Sequence, residues 1–131
     1  HVVLGSDTTV VLGNRILGKP GTPERAAEML RMLSGKTHQV VTGVALAKGT
    51  RVVSFQTETE VTFYPLTEAQ IQNYVATREP LDKAGGYGIQ GRGALLVEKI
   101  NGDFYSVVGL PVAAVSRALH AFSGAESQKG I

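Results

Sequence analysis

The chain has 131 residues, a length typical of one compact domain, and 43% of them are hydrophobic, enough to form a buried core. Its formal net charge is only +2, which argues against the dense cationic surface that long nucleic acids require. The absence of cysteine excludes disulfides, thiolate nucleophiles and cysteine zinc sites. We expect a single globular domain, and any anionic partner should be a small molecule.

The sequence also gives no sign of a membrane or zinc protein. No apolar run approaches the length of a membrane span, and no segment resembles a secretory signal. The histidines and carboxylates do not follow zinc-ligand spacing. We therefore expect a cytoplasmic protein with neither a membrane nor a nucleic acid polymer as its partner.

The first third of the chain predicts a strand, a hairpin and a helix. Val2–Leu4 is typical of a short buried strand, and the polar Gly5–Asp7 is typical of its end. The stretch "TTVVLGNRILGKP" alternates around Gly13-Asn14, which favours a hairpin. Thr22-Pro23 supplies an N-cap and a first helical position, so a helix is predicted from there to Gly35.

The middle of the chain predicts two long strands and a second helix. "HQVVTGVALA" and "RVVSFQTETEVTFY" are extended runs joined by a turn at Lys48–Thr50, with Glu58 and Glu60 on a solvated face. Thr67–Gln70 has the spacing of a capping box, and the helix that it opens should end before Pro80.

The last third predicts a hairpin and a final helix. "GALLVEKI" and "DFYSVVGL" flank Asn101-Gly102, a strong hairpin signal. A helix should begin at Pro111, and a loose tail should follow from Ser123. With neither an internal repeat nor a linker, we expect one α+β or α/β unit.

Asp7 is the first candidate for chemistry. It follows an apolar strand, and strand ends in α/β sheets commonly present ligand-binding side chains. A carboxylate there can bind a divalent cation or accept a proton from water. The alternative is a turn or helix cap, which is the commoner role of an aspartate at such a junction.

The segment "DKAGGYGIQG" is the second candidate. Its glycines permit backbone close to a ligand, Lys83 adds charge, Tyr87 can stack or donate, and Gln90 can read the edge of a base. Lys19 in "LGKP" is similarly suited to a phosphate, because Gly18 leaves room for close approach. Taken singly, Lys19 has a simpler interpretation as a solvated turn lysine, and a glycine-rich loop is weak evidence. The segment also lacks the ending of a P-loop.

His38 is a third candidate, of a different kind. We expect a buried or edge histidine that satisfies the backbone, and acid–base catalysis is the less frequent alternative.

Taken together and in order, these motifs resemble the Maf family of nucleoside triphosphate pyrophosphatases. The resemblance rests on "GSDTTVV", "ILGKP", "TETEVTF" and "YVATREPLDKAGGYGIQGRGALLVEKINGDFYSVVGLP", and it runs from about Val2 to about Phe122. It implies an α/β fold shared with inosine-triphosphate pyrophosphatases, a mixed sheet flanked by helices, often in a homodimer. It places the domain in residues 1–122 and a tail in residues 123–131.

The resemblance also implies an activity and a set of residues. The activity is metal-dependent hydrolysis of nucleoside triphosphates to the monophosphate and pyrophosphate, with Mg²⁺ or Mn²⁺. Asp7 matches the proton acceptor and can also bind the metal. Thr8 and Gln90 match specificity positions, Lys19 a phosphate-side lysine, and Lys83 the same active-site motif. The form of the loop is similar to the branch that hydrolyses dTTP and UTP, or modified pyrimidine nucleotides.

The chain departs from the family pattern at its start. The family opens with a Ser-rich turn, a Pro and paired arginines that grip the phosphates, and we find no counterpart of this N-terminal segment in the sequence. We expect a chain without those cations to be weakly active or inactive. Smaller departures are Ser6, where Ala is usual, Arg78, where Gly is usual, and Arg92.

A second class of function stays open from the sequence. The family resemblance extends to proteins associated with septum formation, so the alternative is a non-catalytic nucleotide-binding regulator of cell division. Release of pyrophosphate distinguishes the two, since a regulator would hold the nucleotide without splitting it.

Overall fold

A computed structural model describes residues 2–122 of the chain. It contains strands β1 (Val3–Leu12), β2 (Arg15–Leu17), β3 (Thr37–Lys48), β4 (Arg51–Phe63) and β5 (Val97–Asn101). The helices are α1 (Pro23–Leu33), α2 (Glu68–Ala76), α3 (Phe104–Val108) and α4 (Val112–Phe122), with short 3₁₀ turns at Glu79–Asp82, Ala84–Gly86 and Gly91–Leu96. The tail predicted from Ser123 lies outside the described residues.

The five strands form one sheet in the order β2-β1-β3-β4-β5. The α/β class is confirmed, and each of the pairings recorded for residues 2–122 is antiparallel. The parallel pairs that a mixed sheet implies are not among them. The predicted hairpin at Gly13-Asn14 and the predicted turn at Lys48–Thr50 are both present, joining β1 to β2 and β3 to β4.

The prediction for the first strand was wrong in two respects. β1 does not stop at Gly5–Asp7 but continues to Leu12, because Gly5 and Asp7 pair with Ala45 and Gly43 of β3. Nor is its beginning buried, since Val3 is 61% exposed. The polar residues indicated a turn, but the ladder with β3 satisfies their backbone groups and keeps them extended.

The first two helices follow their sequence signals. The Thr22 hydroxyl accepts a hydrogen bond from the Arg25 amide at 3.2 Å, and Thr67 and Gln70 form the predicted capping box. Both helices pack on one face of the sheet, in a core that includes Val10, Leu30, Leu33, Val40, Val61, Phe63, Ile71 and Tyr74.

The hairpin predicted at Asn101-Gly102 was also wrong. Only Val97–Asn101 is a strand, and the following "FYSVV" is helix α3. Asp103 caps that helix by accepting a hydrogen bond from the Tyr105 amide at 2.9 Å. Asn-Gly favours a tight turn between two strands. Here the Asp103 cap starts helix α3 directly after that turn, so residues 104–108 do not form a strand that pairs with β5.

Helix α4 begins after Pro111 as predicted and buries Val115 and Phe122. Its end is fastened to β4, where the Arg51 guanidinium lies 4.7 Å from the centre of the Phe122 ring. Among residues 2–122, every helix falls short of the length and hydrophobicity that a bilayer crossing requires.

Candidate functional site

A cleft of about 390 Å³ opens between β1, the loop after β2, the glycine-rich segment and the end of α3. It brings together every residue that the sequence singled out for the site, namely Asp7, Thr8, Lys19, Lys83 and Gln90. These residues are far apart along the chain. Their convergence on one cleft is therefore a property of the tertiary fold.

Asp7 presents an exposed carboxylate at the rim of this cleft. Its partner on β3 is Gly43, so no side chain stands directly across from it. None of residues 2–122 forms a hydrogen bond or ion pair with this carboxylate, which also borders a second, shallower hollow over Gly5 and Gly43. Asp7 is therefore open to a cation, a water or a substrate, and it does not act as the helix or turn cap considered above.

Thr8 is fixed by a chain of hydroxyl hydrogen bonds. The buried Thr42 hydroxyl donates to the Ser106 carbonyl at 2.7 Å, so Thr8 must donate to Thr42, 3.1 Å away. The Ser106 hydroxyl in turn bonds Thr57 at 2.8 Å. This network holds α3 against the middle of the sheet and positions Thr8 on the wall of the cleft.

The two lysines are held on the same cleft by backbone hydrogen bonds. The Gly85 amide donates to the Gly18 carbonyl at 3.1 Å, and the Gly21 amide donates to the Leu81 carbonyl at 2.9 Å. These bonds bracket Lys19 on one segment and Lys83 on the other. The Lys83 ammonium lies 3.6 Å from Asp82, an exposed pair that leaves it available to another anion.

In the glycine-rich segment "DKAGGYGIQG", glycine is required where neighbouring atoms approach the backbone closely. Gly85 has a φ of 75°, and a β-carbon there would come within 2.9 Å of Val10. At Gly88 a β-carbon would lie 2.6 Å from Cε of Lys83, so the lysine side chain passes directly over this residue. The Gly88 amide donates to the Tyr74 hydroxyl at 2.9 Å, which fastens the segment to α2.

His38 lies beneath this segment rather than in the cleft. It is 1% exposed, and its Nε2 is hydrogen-bonded to the Tyr87 hydroxyl at 2.6 Å. Both rings make edge contacts with Phe63. Burial lowers the pKa of His38 to about 4, so it is neutral near neutral pH, and burial raises the pKa of the Tyr87 hydroxyl. The partner of His38 is a tyrosine rather than the backbone, and its role is to hold the loop.

Glu79 lines the cleft and was missed by the sequence reasoning. The only available signal was its place in "REP", beside the Arg78 that departs from the family pattern. Val107 and Val108 of α3 complete the apolar part of the wall.

The donor set suits a hard cation only in combination with a substrate. The described residues contain no group of three or more metal-ligating His, Cys, Asp or Glu side chains. Asp7 and Glu79 are carboxylates on one cleft, and Mg²⁺ is commonly held by one or two carboxylates plus substrate phosphates. Asp7, which is exposed and has the glycine Gly43 as its partner on β3, is the residue most open to such an ion.

Comparison with known proteins assigns the chain to a family. A family model described as Maf-like protein matches residues 1–122. The chain is 57% identical over 122 residues to the dTTP/UTP pyrophosphatase of Bacillus cereus strain B4264, covering 93% of this chain and 64% of the relative. It is 57% identical over 126 residues to that of Bacillus cytotoxicus, covering 96% of this chain and 66% of the relative.

The chain therefore spans somewhat less than two thirds of the length of these curated relatives. The resemblance drawn from its motifs is confirmed, including the similarity to the dTTP/UTP branch. The chain belongs to the Maf family.

Proposed function

We propose that the protein hydrolyses nucleoside triphosphates between the α and β phosphorus atoms, releasing a nucleoside monophosphate and pyrophosphate. The observation that carries the proposal is the single cleft lined by Asp7, Thr8, Lys19, Lys83 and Gln90. The relatives' name, dTTP/UTP pyrophosphatase, supports a pyrimidine nucleotide as the substrate.

The role of each of these residues in the reaction follows from its charge or its hydrogen-bonding groups. Lys19 and Lys83 neutralise phosphate oxygens, and Gln90 offers a donor and an acceptor to the base. A divalent cation, Mg²⁺ or Mn²⁺, would polarise the phosphoryl oxygens when bound. Asp7 would hold that ion or accept the proton of the attacking water; Thr8, held by its hydroxyl network, would contribute to substrate selection.

We further propose that the protein works on the cytoplasmic nucleotide pool, as a homodimer. Size-exclusion chromatography with light scattering tests the assembly.

The first prediction tests the role of Asp7. Asp7→Asn should lower turnover by about 10²–10⁴, the usual contribution of a general base. Its far-UV circular dichroism should not change, because the Asp7 side chain is exposed and makes no hydrogen bond with any of residues 2–122. The assay measures pyrophosphate and monophosphate release from a panel of nucleotides with Mg²⁺ or Mn²⁺. Glu58→Gln, on an exposed residue of β4 outside the cleft, is the matched control.

Because of the relatives' greater length, this assay is run on the chain and on a version with the family's opening segment placed before it. Undiminished turnover in Asp7→Asn would remove this residue from the mechanism. Nucleotide binding without pyrophosphate release, in both versions, would favour the septum-associated regulator. Orthophosphate as the main product would indicate a phosphatase.

A further inference from the structure

We infer that Glu79 is a specificity residue that distinguishes uracil and thymine from cytosine. Its carboxylate accepts a hydrogen bond from N3–H of the base, while Gln90 donates to a neighbouring base carbonyl. The inference rests on the proposed function, since it concerns the nucleotide in the same cleft.

Glu79 lies beside Gly91, the residue that follows Gln90, although twelve positions separate Glu79 and Gly91 in sequence. Its Oε1 is 2.6 Å from the point where a β-carbon of Gly91 would stand, and Gly91 directly follows Gln90. Glu79 and Gln90 both line the cleft. One ligand in this cleft can therefore contact both residues.

The backbone holds Glu79 in this direction. The preceding Arg78 has a φ of 63°, and it is the one non-glycine with a positive φ among residues 2–122. This conformation is unfavourable for a residue with a β-carbon and persists where the surroundings impose it. The Glu79 amide donates to the Thr77 hydroxyl at 3.2 Å, and Pro80 behind it is buried. Glu79 therefore starts from an anchored backbone.

The carboxylate is free to accept a hydrogen bond. No residue within the described part of the chain forms a hydrogen bond or ion pair with it. A carboxylate repels phosphate, and in the proposed function Lys19 and Lys83 serve the phosphates while Asp7 serves the divalent cation. The group that Glu79 suits is therefore a donor on the nucleoside.

The name of the relatives identifies which donor. Thymine and uracil nucleotides differ at C5 and at the ribose, so a site that accepts both must recognise what they share: the O2 and O4 acceptors and the N3–H donor. Gln90 can donate to a carbonyl, and Glu79 supplies the acceptor for N3–H. Cytosine has an unprotonated N3, so in the same pose it would face the carboxylate with a second acceptor and leave both unpaired.

The test measures kcat/KM for UTP and CTP, and binding of UMP and CMP by calorimetry, in wild type and Glu79→Gln. The variant should lower the UTP-to-CTP ratio by at least about tenfold, since a charged hydrogen bond is lost and the new amide can donate to N3 of cytosine. Glu98→Gln, an exposed carboxylate on β5, should leave the ratio unchanged.

A second variant displaces the carboxylate without altering it. Gly91→Ala would place a β-carbon 2.6 Å from Oε1 of Glu79, so it should also lower the ratio. The control is Gly49→Ala. The φ of Gly49 is 62°, close to the 64° of Gly91, but a β-carbon added at Gly49 would have no other atom within 4 Å.

Two results would overturn the inference: equal losses for UTP and CTP in Glu79→Gln, or a wild-type protein that binds UMP and CMP alike. Failure of the proposed function looks different. A protein that prefers UMP over CMP but releases no pyrophosphate, with or without the family's opening segment placed before it, would refute the hydrolysis and leave the role of Glu79 standing on the binding measurement.

Discussion

Acid should destabilise the fold through His38. The imidazole is 1% exposed, sits against Phe63 and Tyr87, and has no partner at Nδ1 among residues 2–122. Protonation would place a charge in this aromatic cluster without a counterion. For that reason burial lowers the pKa of His38 from 6.5 to about 4.

The sign and size of the effect follow from proton linkage. Between pH 6.5 and about 4 the unfolded chain binds a proton at this histidine and the folded chain does not. The free energy of unfolding therefore falls as the pH falls through this window, and the effect of His38 levels off below it. At about 1.4 kcal/mol per pH unit, the full loss is roughly 3 kcal/mol, a large part of the ~5–15 kcal/mol typical of a domain.

The measurement is urea unfolding, followed by circular dichroism, at about pH 7 and about pH 4.5. His38→Phe keeps an aromatic ring in the cluster and removes the titrating group. It should be less stable than wild type near neutral pH, because the Tyr87 hydroxyl loses its partner at a cost of about 1–3 kcal/mol. Its additional loss on acidification should be smaller than that of wild type by roughly 2–3 kcal/mol.

His120→Gln, on the exposed face of α4, is the control for removal of a histidine outside the core. The reasoning is refuted if His38→Phe loses as much stability in acid as wild type does. In that case the acid sensitivity belongs to other groups, and the buried imidazole does not govern it.

Two further changes test the loop and the helix pair. Gly88→Ala should raise KM for the nucleotide with little effect on unfolding, because its β-carbon would meet the flexible end of Lys83 at 2.6 Å; an unchanged KM would show that the lysine position is unimportant. Glu68→Gln should slightly lower the urea midpoint near neutral pH. The two-bond pairing with Arg31 lowers the pKa of Glu68 to about 2, so its contribution is full above pH 4.5 and disappears as the pH falls through about 2. A difference from wild type that persists undiminished in high salt would contradict an ionic origin.

Local sequence signals predicted the helices correctly where backbone hydrogen-bonding groups find their partners within a few residues. Helices α1 and α2 begin directly after Thr22 and Thr67 as predicted, because the hydroxyl of each threonine accepts a hydrogen bond from an amide in the first turn. The same kind of local signal failed at Asn101-Gly102, where a favoured turn dipeptide was overruled by the Asp103 cap and by the contacts of Ser106 with β3 and β4. Those contacts join residues that are remote in sequence, so propensity alone could not anticipate them.

The candidate site shows the same division. Asp7, Lys83 and Gln90 were identified because their residue types and motifs suit phosphate and base recognition. Glu79 was missed, because a glutamate before a proline carries no chemical signal until its carboxylate is seen beside Gly91.

By itself, the sequence determined the family, the order of the motifs and the starts of helices α1, α2 and α4, since these depend on residue types and on spacings of a few positions. Only the tertiary structure decided that Asp7 lies within a continuous strand and that His38 is buried under the loop. It also decided that Glu79 and Gln90 line one cleft. Each of these depends on strand pairing and side-chain packing between distant segments, which are established only when the whole chain has folded.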